Sequence, residues 1–186
     1  MRIKGGIKMN NILVLMMGIP GSGKSTIATR LATEKDIYIS RDKIRFSLLK
    51  EGEDYFSKEK LVLKTFINNI NKAIEANKYR FIIADATHLN TSSRGKILNH
   101  LTTKPKDIFI LYVDTPLEIA LDRNESRTER AYVPPQQIIK MYNSIEIPKK
   151  EEGISAIFVL DEYGRINFKK TKEFINKKGM EYYDLF

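Results

Sequence analysis

The residues best suited to chemistry form a glycine-rich segment, Gly18 to Ser25, which reads GIPGSGKS and fits the phosphate-binding pattern G-x-x-x-x-G-K-[ST]. Glycines in this pattern let successive backbone N–H groups turn inward around an anion at a helix N-terminus. Lys24 then places its ammonium on the outer phosphates, and the Ser25 hydroxyl holds Mg²⁺. The segment predicts a site for ATP, or another nucleoside triphosphate, with Mg²⁺. Its expected contacts are Gly18, Gly21, Ser22, Gly23, Lys24, Ser25 and Thr26.

A candidate general base, Asp42, comes shortly after the apolar run Ile37–Ser40. Asp42 lies 18 residues after Lys24, about the span of one helix and one strand. This spacing predicts that Asp42 returns to the sheet edge that carries the phosphate loop, as we call Gly18 to Ser25. There its carboxylate could accept a proton from an attacking hydroxyl. The simpler interpretation is that Ser40 or Asp42 only caps the next helix. Arg41 and Arg45 are expected to contact the acceptor; for Arg45, a solvated surface position is the alternative.

Asp85 is the last residue of another largely apolar run, Arg80–Asp85. Because aspartate is disfavoured inside strands, a carboxylate here indicates a functional role rather than a surface position. It could reach Mg²⁺ through water or fix a catalytic side chain, and it is counted among the substrate-side residues. His88 follows three residues later, with one other histidine in the chain and no metal-ligand spacing. We expect His88 to form hydrogen bonds in a turn or in the core.

Three arginines further along the chain, Arg123, Arg127 and Arg130, recur at helical spacing. They would share one face of a helix predicted from Pro116 to about Arg130. The i,i+4 neighbours on this helix carry like charges, so the arginines are not neutralised within it. The pattern predicts an arginine face that binds triphosphate oxygens and could stabilise charge during phosphoryl transfer. Pairing with acids elsewhere in the fold is the alternative.

The elements that must position these residues alternate between apolar runs and helical patterns, as in a parallel sheet covered by helices. The predicted strands are Ile12–Met17, Ile37–Ser40, Arg80–Asp85, Ile108–Val113 and Ala156–Leu160. The clearest helix carries one apolar stripe at Leu63, Phe66, Ile67, Ile70 and Ile74. Further predicted helices are Asp42–Leu49, Thr91–Leu101, Pro134–Ile145 and Thr171–Lys178, with Gly179 as a stop. We expect a tail at 1–11 and a single domain at 12–186.

Composition limits the classes of function. The chain has 186 residues, 42% hydrophobic content and no cysteine, which suits one globular domain in a reducing cytoplasm without disulfides or thiolate metal sites. No apolar run reaches the roughly 20 residues of a membrane span, so no membrane partner is expected. The net charge of +9 favours a polyanionic partner such as nucleic acid. A lysine-rich but merely soluble surface is the equal alternative.

The motifs occur in an order that resembles the kinase domain of bacteriophage-type polynucleotide 5′-kinases, within the wider family of small P-loop kinases that includes zeta toxins. The matching segments are GIPGSGKST at 18–26, RDKIR at 41–45, ADATHLN at 84–90, YVDTP at 112–116, RNESRTERAYVP at 123–134 and IIKMY at 138–142. The resemblance covers roughly residues 12–160. It implies a three-layer α/β fold with a mostly parallel sheet of four to five strands, flanking helices and an arginine-bearing lid at about 117–134.

The resemblance also implies an activity, the transfer of the ATP γ-phosphate to the 5′-hydroxyl end of DNA or RNA. It implies that Asp42 is the general base, that Arg45 contacts an acceptor phosphate, and that Lys24 and the lid residue Arg127 neutralise the transferring group. Ser40 and Lys43 differ from the phage pattern, as does one added residue before the lid proline, and these differences bear on the acceptor.

Other acceptors remain open: a nucleotide sugar, a tRNA-linked group or a modified base in DNA. A nucleotide-dependent switch without kinase activity is a further alternative. Tyr55 and Phe56 could stack on an acceptor base, but we expect them to pack in the interior. The sequence does not indicate an oligomeric state.

Overall fold

A computed structural model describes residues 11–127 and 131–178. Within these ranges the chain forms five strands, seven α-helices and one short 3₁₀ turn at Lys150–Glu152. The strands are β1 (Ile12–Met17), β2 (Ile37–Ser40), β3 (Phe81–Asp85), β4 (Asp107–Val113) and β5 (Ala156–Leu160). The helices are α1 (Lys24–Leu31), α2 (Arg41–Leu48), α3 (Glu59–Ala76), α4 (Thr91–Leu98), α5 (Leu117–Glu125), α6 (Pro135–Asn143) and α7 (Phe168–Lys178).

The five strands form one parallel sheet in the order β2-β3-β1-β4-β5. The central strand β1 is apolar throughout because helices cover both faces of the sheet. Its neighbours β3 and β4 lead to opposite edges of the sheet, so the direction of winding changes beside β1. Ligands of such sheets bind outside the carboxyl ends of the strands at this switch point. The phosphate loop follows β1 at this place.

Alternating residues of β1 divide the core into two layers. Leu13, Leu15 and Met17 pack against the apolar faces of α3, α4 and α7 on one side of the sheet. Val14 and Met16 pack against α1 on the other side. The predicted three-layer α/β fold is therefore confirmed, with a sheet of five strands that is entirely parallel.

A third, smaller cluster lies at the carboxyl end of the sheet. Ile19 of the phosphate loop packs there with Leu89, Ala120 of α5 and Ile138 of α6. Burial of these side chains fixes α5 and α6 above the loop, since each removes apolar surface from water. No helix in the described part of the chain is long and apolar enough to cross a membrane.

Several predicted boundaries are wrong. The helix expected to continue to Arg130 ends at Glu125, because the buried side chain of Asn124 bonds to both backbone groups of Val133 and turns the chain back. The helix after β3 ends at Leu98, and α7 begins at Phe168. Asn11 was assigned to a tail, but its amide is buried and donates to the carbonyl oxygen of Ile74 at 2.9 Å. Residues 1–10 and Gly179 lie outside the described residues.

Candidate active site

The phosphate loop connects β1 to α1 in the predicted way. Gly23 is the N-cap of α1 with φ +93°, and no side chain caps this end, so the first N–H groups of α1 are available to an anion. Gly21 has φ +85°, and a Cβ there would overlap the carbonyl oxygen of Ala120 on α5. Only glycine fits this position, where the loop is packed against α5. Ser22 is fully buried behind the loop, and its carbonyl oxygen accepts from Thr115 Oγ1 at 2.9 Å.

Lys24 is buried at the start of α1, where its Nζ donates to the carbonyl oxygen of Ile19 at 3.0 Å. Burial lowers the pKa of Lys24; the carboxylates of Asp85 and Asp42 act in the opposite direction, and Arg127 lowers it further. These charged residues come from four separate segments of the sequence. The fold therefore brings the four principal predicted site residues within electrostatic range of one another.

Asp85 contacts Ser25, the residue predicted to hold the metal. Ser25 Oγ donates to Asp85 Oδ2 at 2.6 Å, and the hydroxyl of Tyr38 donates to the same oxygen at 2.5 Å. Burial and the Asp85 carboxylate raise the pKa of Tyr38 to about 12, so its hydroxyl remains a donor. Two donors on Oδ2 leave Asp85 Oδ1 for a ligand.

The oxygen ligands at this place, the Ser25 hydroxyl and the Asp85 carboxylate, fit Mg²⁺. Within residues 11–127 and 131–178, no three His, Asp or Glu side chains converge on a possible metal position. Mg²⁺ needs few protein ligands because it keeps several waters and binds substrate phosphates. The Ser25 hydroxyl and the Asp85 carboxylate, directly or through water, could hold it beside the phosphate loop.

Asp42 lies in the first turn of α2 but does not cap the helix. The cap is Ser40, whose Oγ accepts from the backbone N–H of Lys43 at 3.3 Å. The capping interpretation therefore holds for Ser40 alone. The Asp42 side chain is 63% exposed and faces the cavity described below. Its Oδ1 accepts from Arg45 Nη1 and from the Tyr55 hydroxyl, the latter at 3.0 Å, and Oδ2 has no hydrogen bond to a described residue.

Arg45 is buried, so the alternative of a solvated surface arginine is wrong. Glu59, at the start of α3, binds Arg45 Nη2 at 2.8 Å through one carboxylate oxygen and Arg41 through the other. The Tyr55 ring covers the Arg45 guanidinium at 4.3 Å. Burial lowers the pKa of Arg45, but the hydrogen bond to Glu59 and the nearby acids raise it overall. The Nε atoms of Arg41 and Arg45 have no hydrogen-bond partner among the described residues.

The arginines of the predicted lid do not form one continuous helix face. Arg123 lies on α5, and its Nη2 is 3.5 Å from the carbonyl oxygen of Glu162, beside Gly23. Arg127 lies in the bend after α5 and donates to the carbonyl oxygen of Ala131 at 3.3 Å. Arg130 lies outside the described residues. Neither Arg123 nor Arg127 pairs with an acid in the described part of the chain, so both can interact with an external anion.

His88 belongs to the core, as expected. It is buried with φ +44°, its ring stacks on Phe66 at 6.3 Å, and Nδ1 is 2.7 Å from the carbonyl oxygen of Met16. A carbonyl oxygen only accepts, so Nδ1 carries the proton. Burial lowers the pKa of His88 to about 4, and the ring is neutral at pH 7.

A cavity of about 690 Å³ joins these residues. Its floor contains Lys24, Ser25 and Asp85, and Asp42 faces it from α2. Arg127 also lines the cavity, together with the segment that leads into α6. The remaining wall comes from the end of α2 and the segment before α3. The aromatic and apolar side chains on that wall are Phe46, Leu49, Tyr55 and Phe56, whereas Tyr132 and Met141 line the cavity from the segment before α6 and from α6 itself.

Two residues of the site, Tyr38 and Glu59, were missed in the sequence, and so was one contact of Tyr55. Tyr38 precedes Ser40 by two positions and so shares its face of β2, a signal that the strand pattern contains. Glu59 was recognisable only as an acid in the first turn of a helix. The contact of the Tyr55 hydroxyl with Asp42 gave no sequence signal at all.

Comparison with known proteins identifies the family of the chain. The family described as an AAA domain (AAA_33) matches residues 13–148. A protein of Autographa californica nuclear polyhedrosis virus, assigned by name as a bifunctional polynucleotide kinase/RNA ligase, is 30% identical over 144 residues. The match covers 70% of this chain and 20% of the viral protein, so the chain spans about a fifth of that relative's length.

Solved structures share the fold at low sequence identity. The Pnkp1/Rnl/Hen1 RNA repair complex matches with a TM-score of 0.61 and 21% identity, over 77% of this chain and 46% of that one. A sugar kinase from Janibacter sp. HTCC2649 matches with a TM-score of 0.55 and 18% identity, over 91% of each chain. The chain therefore belongs to the AAA_33 family of AAA domains and has the fold of the P-loop kinases.

Proposed function

We propose that this protein is an ATP-dependent kinase that phosphorylates the 5′-hydroxyl end of DNA or RNA. One observation carries the proposal: a single cavity contains the phosphate-loop residue Lys24, the arginine Arg127 and the exposed carboxylate of Asp42. The first two suit a triphosphate, and the third suits a hydroxyl that attacks it. A nucleotide switch needs no such carboxylate.

In the proposed reaction the acceptor oxygen attacks the γ-phosphorus of ATP as Asp42 Oδ2 takes up the hydroxyl proton. A new oxygen–phosphorus bond forms, the bond between the γ-phosphorus and the bridging oxygen breaks, and ADP leaves. Lys24 and Arg127 offset the negative charge on the transferring group. Bound Mg²⁺, next to Ser25 and Asp85, would neutralise phosphate charge. The tethering of Asp42 Oδ1 by Arg45 and Tyr55 aims Oδ2 at the acceptor.

A polynucleotide acceptor is favoured over a sugar by the viral relative, whose name includes polynucleotide kinase, and by the net charge of +9. The likeness to a sugar kinase concerns the fold, which donor sites for different acceptors share. Salt separates the two classes, because binding of a polymer should weaken steeply with salt and binding of a small acceptor much less.

The test is to incubate the protein with labelled ATP and four acceptors: 5′-hydroxyl DNA, 5′-hydroxyl RNA, nucleosides and nucleotide sugars. We expect label on an oligonucleotide. The Asp42→Asn variant should lose about 10²- to 10⁴-fold in turnover and still bind ATP, because only the base is removed. Glu51→Gln, a nearby exposed carboxylate outside the cavity, is the matched control and should keep wild-type turnover. Wild-type turnover by Asp42→Asn would refute the assignment of the base.

A further inference from the structure

Two large side chains that line the cavity are left exposed. Phe56 exposes 62% of its surface and Tyr132 exposes 44%, and both line the same cavity as Asp42. The sequence-based expectation that Phe56 packs in the interior is wrong. Single exposed apolar residues are common on proteins. Two exposed rings that line one cavity, from two separate segments of the chain, instead indicate a ligand with an apolar face.

The ring of Phe56 is held in place without being covered. It meets the Tyr55 ring edge-on, with centroids 4.8 Å apart at an interplanar angle of 83°. The Phe56 backbone N–H donates to Asp54 Oδ1 at 2.9 Å, and Ser57 Oγ donates to the Asp54 carbonyl oxygen at 2.8 Å. The turn that carries Phe56 is thus fixed by its own hydrogen bonds, and the aromatic surface is presented in a defined place.

Charges on this side of the cavity are largely neutralised. Glu59 and Asp42 pair with Arg41 and Arg45, as described above, and Glu53 pairs with Lys58 at 2.6 Å. Lys50 also lines this part of the cavity and forms no ion pair with a described residue, but the other charges here are paired. The main remaining feature of this part is aromatic surface, which binds a flat ring by stacking.

We propose that Phe56 and Tyr132 form a nucleobase subsite that stacks on the base of the acceptor's 5′-terminal nucleotide while the 5′-hydroxyl reaches Asp42. The inference rests on the proposed function and adds which part of the acceptor the enzyme recognises. Stacking of one base on aromatic side chains contributes about 1–3 kcal/mol and tolerates all four bases. The subsite selects a base-bearing end and does not read sequence.

The experiment compares two 5′-hydroxyl oligonucleotides that differ in one respect: the second has an abasic 5′-terminal residue. Wild-type kcat/KM should be about 5- to 150-fold higher for the base-bearing end, which corresponds to the stacking energy. Phe56→Ala and Tyr132→Ala should each reduce this preference and leave the abasic end unaffected. Phe56→Tyr retains a ring and should retain the preference. Phe168→Ala, an exposed aromatic outside the cavity, is the matched control.

Equal use of the two oligonucleotides by the wild type would overturn the subsite while leaving the proposed function intact. The same holds if the alanine variants slow both acceptors equally. Failure to label any oligonucleotide, with label on a nucleotide sugar instead, would overturn the proposed function itself. Thermal denaturation of each variant separates a local loss of stacking from unfolding.

Discussion

Arg94 makes the most extensive buried ion pair in the described part of the protein, and its removal allows a quantitative test. Its guanidinium is wholly buried and binds Glu152 through two hydrogen bonds of 2.7 and 2.9 Å. The same group donates to the carbonyl oxygens of His88 and Glu146, each at 3.1 Å. One side chain of α4 thus joins the turn after β3, the segment after α6 and the 3₁₀ turn.

The perturbation is Arg94→Met, which leaves the Glu152 carboxylate and two carbonyl oxygens without their partner. Breaking a buried pair on one side costs about 3–5 kcal/mol. For a domain of this size, each kcal/mol lowers Tm by roughly 2–4 °C, so we expect a fall of about 6–20 °C. The double variant Arg94→Met with Glu152→Leu removes both charges and should be less destabilised than Arg94→Met alone.

The assay is urea denaturation followed by circular dichroism, with the exposed pair Arg165–Asp161 as a matched control. Arg165→Met should change the free energy of unfolding by less than about 1 kcal/mol, as is usual for a surface pair. If Arg94→Met has as small an effect as Arg165→Met, or if the double variant is less stable than Arg94→Met, the reasoning about this buried pair is refuted.

Two further predictions concern His88 and Tyr38. Because burial lowers the pKa of His88 from 6.5 to about 4, the native state excludes a proton that the unfolded chain accepts. This residue therefore lowers the free energy of unfolding by about 3 kcal/mol as the pH falls from 6.5 to 4, with no further change expected above or below that window. His88→Asn tolerates the positive φ and should flatten that part of a urea-denaturation profile measured against pH, whereas an unchanged profile would exclude His88 as its source. Tyr38→Phe should reduce the stabilisation by ATP with Mg²⁺ in thermal denaturation by about 1.5–3 kcal/mol, because Asp85 loses a donor. Tyr112→Phe loses a hydroxyl bound to Asp114 outside the cavity and should not do so; equal effects of the two variants would contradict the role of Tyr38.

The sequence predicted those features that local pattern controls. Strands β1, β2 and β5 have the predicted bounds, since each is an apolar run bounded by turn or loop residues. The phosphate loop lies where the glycine pattern requires it. Asp42 reaches the same cavity because its distance from Lys24 along the chain matches one helix and one strand.

Features that depend on contacts distant in sequence were not predicted. The end of α5 is set by the hydrogen bonds of Asn124 to Val133, nine residues away, and helical spacing alone gave no sign of it. The burial of Arg45 depends on Glu59, in the next helix along the chain. The exposure of Phe56 depends on how the turn before α3 sits on the fold. In each case tertiary packing overrode the local preference.

The double pairing of Glu59 has a consequence for the speed of acceptor recognition. A free arginine side chain loses about 2 kcal/mol of conformational entropy when it is immobilised. Arg41 and Arg45 lose most of this freedom during folding, because the same carboxylate orders both before any acceptor arrives. The proposed acceptor would therefore need little rearrangement of this wall, and its association should resemble the docking of two rigid bodies rather than an induced fit.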